Sequence, residues 1–237
     1  MIPTIGFALA TTFDAPMHDA YADAGLLVEF ARRFELREAD AADSGTLQRF
    51  IQRSFSTTHG ANIEHFMPRL MGLHERGGGL VAAFGMRAAC LGPLFLESYL
   101  DTPIEIELAT RFGRIVPRED IIEVGNLSAN HPGATRWLIL AVNLLLHREG
   151  YRWIAFTATH MVRNALLKLD LRPLPLRAAA LDRLPAEEHA HWGNYYAQSP
   201  MVMTGELVHG YRSLLANRDL QRRLLSRRML PVTQEIA

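Results

Sequence analysis

The sequence has almost no cysteine, no excess of either charge and no apolar run long enough to cross a bilayer. Cys90 is the only thiol in 237 residues. No internal disulfide can form, which fits a reducing compartment. Its setting, Ala88-Ala89-Cys90-Leu91, predicts a buried structural thiol, because a reactive thiolate needs a nearby cation or a helix N-terminus. The 25 Lys and Arg balance the 25 Asp and Glu. No global field exists to recruit nucleic acid, and any charged partner must be read by a local patch. The most apolar stretch, Trp137 to Leu146, is too short for a transmembrane span and contains Asn143. Met1 to Ala15 has no basic segment ahead of its apolar residues and does not read as a secretory signal. The expectation is a soluble, cytoplasmic protein.

Several chemical patterns are missing as well. Gly77-Gly78-Gly79 has no following P-loop lysine, and no Gly-x-Ser-x-Gly elbow of a hydrolase occurs. His59, Glu64 and His65 lack the spacing that puts two ligands and a base on one helical face, and His189 with His191 needs distant partners. No metal site is expected.

What is present is a core: 49% of the residues are hydrophobic, enough for one large domain or two small ones. Arg33 to Arg37 alternates as a half-buried strand. The Asp40 to Gly45 turn then leads into a helix whose apolar stripe is Leu47, Phe50, Ile51 and Phe55. Leu80 to Phe84 reads as a central strand, and Gly85 marks a bulge or a close backbone approach. Glu97 to Leu100 and Glu105 to Leu108, on either side of Pro103, fit a short strand and a helix start, but the local pattern does not decide their type. Ile121 to Leu127 is a β-rich run in which an extra residue at Gly125 would bring Glu123 and Asn126 to one face. Ala134 to Arg148 is a buried helix, Tyr151 to Ala158 a clear strand, and Met161 to Leu169 the apolar stripe of a short helix. A strand, a buried crossover helix and a second strand imply a parallel pair. Pro173, Pro175 and Pro185 mark a loop-rich passage. The chain then closes in a helical, arginine-rich tail from Glu206 to Met229, amphipathic enough to touch a membrane surface, meet an acidic carrier protein, or form a docking or dimer helix. The expected division is an N-terminal extension at 1–32, a core at 33–205 and a basic amphipathic helix at 206–237.

The junction from Glu123 to Arg136 is the strongest candidate for chemistry, because a strand there runs into a helix start whose free N–H groups and dipole suit an anion. The element order strand, two helices, strand, strand, bulged strand, buried helix, strand, helix resembles the Gcn5-related acyltransferase fold. Four stretches resemble the thermostable hemolysin family more specifically: Leu94-Phe95-Leu96-Glu97-Ser98-Tyr99-Leu100-Asp101, Glu123-Val124-Gly125-Asn126-Leu127, Phe156-Thr157-Ala158-Thr159, and Trp192-Gly193-Asn194-Tyr195-Tyr196. The resemblance implies a mixed α/β sheet with a splayed parallel strand pair and flanking helices, similar to acyl-homoserine lactone synthases.

It further implies transfer of an acyl group from a CoA or acyl carrier protein thioester, bound as substrate with no tightly held cofactor, to a small amine-bearing acceptor. The family's own name records lysis of red cells, so a membrane-active protein on the same fold is the alternative. On the acyltransferase reading, Glu123 or Glu97 is the base. Backbone N–H groups near Asn126, Leu127 and Ser128 polarise the thioester carbonyl. Tyr196, or Tyr195 beside it, protonates the departing thiolate. The donor is held by Gly133, Ala134, Thr135 and Arg136, with Thr157 and Asn164. The segment Asn130 to Arg136 has one glycine and one arginine, short of the basic, glycine-rich loop typical of acetyl-CoA users. A structural hydrogen bond from Glu123, packing by the tyrosines and a capping role for Asn126 are the plain alternatives.

Overall fold

The computed structural model describes residues 30–217. Seven strands form one sheet: β1 (Phe34–Glu38), β2 (Arg69–Glu75), β3 (Leu80–Ala88), β4 (Ile121–Ala129), β5 (Trp153–Ala158), β6 (Leu174–Ala178) and β7 (Met201–Glu206), in the order β1-β2-β3-β4-β5-β7-β6. Every pair is antiparallel except β4 and β5, which run parallel. The helices are α1 (Ser44–His59), α2 (Ile104–Phe112), α3 (Pro132–Arg148), α4 (His160–Leu167) and α5 (Leu207–Ala216). This is the mixed sheet with one parallel pair and flanking helices that the resemblance implies.

The sheet is covered on both faces, which is why β3 reads as a continuous apolar run instead of alternating. Ala83 packs with Leu47 and Ile51 of α1, whereas Ala82 and Phe84, pointing the other way, pack with the buried side chains of α3. The α3 helix is apolar nearly all round because it lies between the sheet and α5. Its one buried amide, Asn143, donates 2.9 Å back to the Ile139 carbonyl. Gly210 of α5 sits against that side chain: a Cβ there would stand 2.7 Å from Asn143 Oδ1. Leu207, Leu214 and Leu215 of α5 are buried in the same core, each worth about 1.5–3 kcal/mol. The first turns of the C-terminal segment therefore belong to the core. Glu206 ends a strand instead of starting a helix, and the arginines from Arg218 onward, like the extension before Phe30, lie outside the described residues.

Three further expectations are corrected. One described helix, not two, separates β1 from β2: after α1 the chain 60–68 runs irregularly, burying Ala61 and Ile63, and Pro68 disfavours helix at Met67. Residues Phe95–Tyr99, whose type the local pattern leaves open, form a 3-10 helix. The proline passage holds strand β6, possible because β6 is the sheet's edge and Pro175 falls at its register shift. Cys90 is exposed, not buried, because the 3-10 turn Ala89–Leu91 turns outward and leaves Leu91 exposed too.

Candidate active site

The site begins where β4 and β5 part. Their parallel pairing runs from Ile121 with Trp153 to Val124 with Phe156 and stops. Beyond it β4 stays on β3, and β5 stays on β7 as far as Ala158 with Met201. The cause is an extra residue in β4. Ala83 pairs with Ser128 and Gly85 with Gly125, so Asn126 and Leu127 oppose Phe84 alone. The bulge thus lies one residue later than the glycine predicts, and Asn126 itself takes the left-handed conformation, at φ 53, which Asn tolerates better than most side chains.

Asn126 is held there by its own amide. Its Oδ1 accepts the Met67 N–H at 2.9 Å, and its Nδ2 donates to the His65 carbonyl at 3.4 Å. The segment carrying Met67 lies so close to the sheet that a Cβ on Gly85 would come within 2.5 Å of Met67 Cβ, and one on Gly125 within 2.6 Å of Met67 Cε. The close approach expected at Gly85 is therefore made by Met67.

Two cavities flank the gap. The smaller, about 260 Å³, lies on the α1 side and is lined by Arg87, Tyr99, Glu123, Thr157, Trp192 and Tyr195 among others. The larger, about 520 Å³, is an apolar hollow between the sheet and α3, α4 and α5, with Ile139, Val142, Ile154, Phe156 and Leu166 in its wall. Val124, Leu127 and Val162 line both. The two spaces meet at the bulge.

Glu123 is 2% exposed. Its two oxygens accept the N–H groups of Phe95 at 2.9 Å and Leu96 at 3.0 Å, so it anchors the 3-10 helix while facing the smaller cavity. Burial pushes its carboxyl up to about 7, against the downward pull of those two N–H groups and of Arg87. Each oxygen keeps a second lone pair for a proton. The Tyr99 and Tyr196 hydroxyls are 2.5 Å apart. Burial raises Tyr99 well above the usual phenol range and Tyr196 up to about 12.

The candidates from sequence separate in space. Glu123, Asn126, Leu127 and Thr157 come together around the smaller cavity, and Tyr195 lines it while Tyr196 stands behind Tyr99. Glu97 does not line it. One Glu97 oxygen accepts Leu94 N–H at 2.7 Å, the other Ile104 N–H at 2.8 Å, and Arg118 closes on both. That ion pair holds the 89–105 loops, with Arg118 also reaching the carbonyls of Ala89 and Gly92. Ser128 is buried and donates 3.2 Å to the Asn126 carbonyl. Gly133, Ala134, Thr135 and Arg136 line neither cavity, and the Ala134 N–H at the start of α3 is occupied by His131 Nδ1 at 3.1 Å. Asn164 is exposed on α4.

Among the polar side chains that line the smaller cavity, Arg87 and Tyr99 are not among the candidates from sequence. Tyr99 lies inside the quoted stretch Leu94 to Asp101. Arg87 faces Glu123 across the β3/β4 ladder, a neighbour that only the register reveals. No helix among the described residues is long and apolar enough to cross a membrane.

Comparison with curated proteins returns no significant match. Among solved structures, the chain is similar to FeeM, an N-acyl amino acid synthase from uncultured soil microbes, with 15% identity over 77% of this chain and 96% of that one, at a TM-score of 0.51. It is likewise similar to TofI in an apo form, with 12% identity over 81% and 99% of the two chains and a TM-score of 0.51. At these identities the likeness is one of fold, and it covers nearly the whole of both structures. The model of the thermostable hemolysin family matches residues 37–211, spanning every strand but the first residues of β1, the lining of both cavities apart from Ser213, and the first half of α5; this chain belongs to the thermostable hemolysin family.

Proposed function

We propose that this protein is an N-acyltransferase, which moves an acyl group from a CoA or acyl carrier protein thioester to a small amine. The observation that carries the reading is the meeting of an apolar cavity and a smaller one of mixed lining at the β4 bulge, with Glu123 beside the junction. The acyl chain occupies the apolar hollow, and the acceptor occupies the smaller cavity. The thioester carbonyl then lies in the gap between β4 and β5, where the bulge takes backbone of Asn126 and Leu127 out of the ladder and leaves it able to bond the carbonyl oxygen.

In this arrangement Glu123 takes the proton from the acceptor nitrogen as it attacks, directly or through one water. A base whose carboxyl titrates near 7 is well matched to that work and contributes about 10²–10⁴-fold. Of the hydrogen-bonded pair Tyr99 and Tyr196, Tyr99 is the one that lines the cavity, so Tyr99 supplies the proton to the departing thiolate and Tyr196 restores it. Glu97 acts by positioning the loop that Glu123 also anchors. The capped start of α3, with one glycine and one arginine, makes the acyl chain the main handle on the donor. The N-acyl amino acid synthase that shares the fold supports this assignment by analogy.

The test is a thermal-shift panel of CoA, acyl-CoAs of increasing chain length and acylated carrier protein, beside a liposome-leakage assay. A ligand at about a hundred times its dissociation constant adds roughly 2.7 kcal/mol, or several degrees. A rise that grows with chain length, without leakage, is expected. No shift with any thioester, together with leakage, overturns the proposal in favour of a membrane-active protein.

A further inference from the structure

Arg87 projects from β3 into the smaller cavity. It stands directly opposite Glu123 in the β3/β4 register, so the two side chains leave the sheet on the same face from Cα atoms about 5 Å apart. A mutual ion pair would be the ordinary outcome. Instead the Glu123 carboxylate is turned onto the N–H groups of Phe95 and Leu96, and Arg87 acts on it only through space. Among the described residues the Arg87 side chain makes no hydrogen bond or ion pair. Its guanidinium lies by Gly92, where a Cβ would stand 3.2 Å from the nearest nitrogen. A half-buried guanidinium has five donors in a rigid fork and no acceptor of its own. Facing a cavity without a partner, it is a site for an anion.

The rest of the cavity describes what carries that anion. Phe95 and Trp192 have ring centroids 5.8 Å apart, and Trp192 and Tyr195 5.4 Å, giving an aromatic wall beside the two charges. The volume, about 260 Å³, suits a molecule of amino-acid size. Two groups on directly opposed residues match an amine and an anion separated by a single carbon. A guanidinium fork binds a carboxylate through two parallel hydrogen bonds, whereas a phosphate would set two negative charges beside Glu123.

Building on the acyl-transfer reading, we infer that the acceptor is an α-amino acid with an apolar or aromatic side chain: its carboxylate pairs with Arg87, its amine faces Glu123, and its side chain lies against Phe95 and Trp192. The neutral amine attacks the thioester carbonyl carbon, so the N–C bond forms and the C–S bond breaks. The amine proton passes to Glu123 and the thiolate takes one from Tyr99. The products are an N-acyl amino acid and a free thiol.

The experiment compares L-phenylalanine with phenethylamine, which differ only in the carboxylate, as acceptors from decanoyl-CoA and from decanoyl carrier protein. It uses the wild type, Arg87→Met and Arg87→Lys, each first checked for an intact melting transition. The wild type is expected to prefer L-phenylalanine by about 10–100-fold in kcat/KM, the worth of a charge-assisted hydrogen-bonded pair. Arg87→Met should bring that ratio near one, with Arg87→Lys between. Equal use of the two acceptors, or a ratio unchanged in Arg87→Met, overturns the role of Arg87 while acyl transfer stands. If no amine is acylated, the acyl-transfer reading fails, and calorimetric titration with L-phenylalanine then decides for Arg87 alone. Binding lost in Arg87→Met supports the carboxylate site, and equal binding or none in the wild type removes it.

Discussion

Replacing Glu123 by Gln keeps the shape of the side chain and removes its ability to take a proton. Two consequences can be worked from the structure. The carboxylate accepts one N–H on each oxygen, from Phe95 and Leu96, whereas an amide offers one oxygen and one NH₂. One of the two N–H groups is therefore left facing a donor, at a cost of about 1–3 kcal/mol. In a chain of this length that lowers the melting point by roughly 2–12 °C without abolishing the fold. The catalytic loss is larger. Removing the general base should cut turnover by about 10²–10⁴-fold.

The pH profile separates the two effects. With its carboxyl near 7, Glu123 is active as the deprotonated form, so wild-type kcat/KM rises roughly tenfold between pH 6 and 8. The variant keeps only the rise that belongs to the acceptor's own amine. The assay is release of thiol from an acyl-CoA in the presence of an amine, followed with a chromogenic thiol reagent in a Cys90→Ser background, because Cys90 is exposed. A Glu123→Gln enzyme with undiminished turnover and the wild-type pH inflection would refute the assignment of Glu123 as base, whatever its stability.

Three further outcomes follow from the same structure. The Glu123 carboxyl is raised from 4.5 in the unfolded chain to about 7 in the fold, so the folded state holds an extra proton between those values. Its contribution is favourable below 4.5 and is lost as pH rises through 7, by about 3 kcal/mol. Melting curves from pH 4.5 to 8 should show the wild type losing stability relative to Glu123→Gln over that window, and parallel curves would show that Glu123 is ionised throughout. Val142 is buried in the wall of the larger cavity. Val142→Phe should shorten the acyl chains accepted, each displaced methylene costing about 0.8 kcal/mol, close to fourfold in kcat/KM; an unchanged chain-length profile would place the acyl group elsewhere. Glu97→Gln weakens the charge-assisted bonds to Arg118, Leu94 and Ile104, at about 2 kcal/mol and several degrees of melting temperature, while the pH inflection near 7 persists. Loss of that inflection would make Glu97 the base.

The local chemistry of the chain determined a good deal on its own. The run Ile121 to Leu127, the buried helix after Pro132-Gly133 and the strand ending at Ala158 are strong periodic signals whose hydrophobic faces admit one arrangement, a parallel pair joined by a crossover helix. Glu123 could be singled out because a carboxylate inside a β-rich run must be paired or functional, while Gly85 marked a bulge or close approach and Gly125 a bulge. Element type failed where local preference and tertiary placement disagree. Pro173 and Pro175 look like loop, yet an edge strand tolerates a missing N–H, and Glu206 looks like the start of a helix although the residues before it complete the sheet. Only the folded structure could decide which side chains meet. Arg87 and Glu123 are far apart in the chain and become neighbours through the β3/β4 register. The same folding turns Glu97 away to Arg118 and puts Tyr99, not Tyr196, on the cavity. Cys90 reads as buried from its apolar neighbours and is exposed because a single 3-10 turn faces outward. Periodicity reports which face of an element is apolar, because that depends on neighbours three or four residues away; contacts across a sheet depend on register and on loops, which the local pattern does not encode.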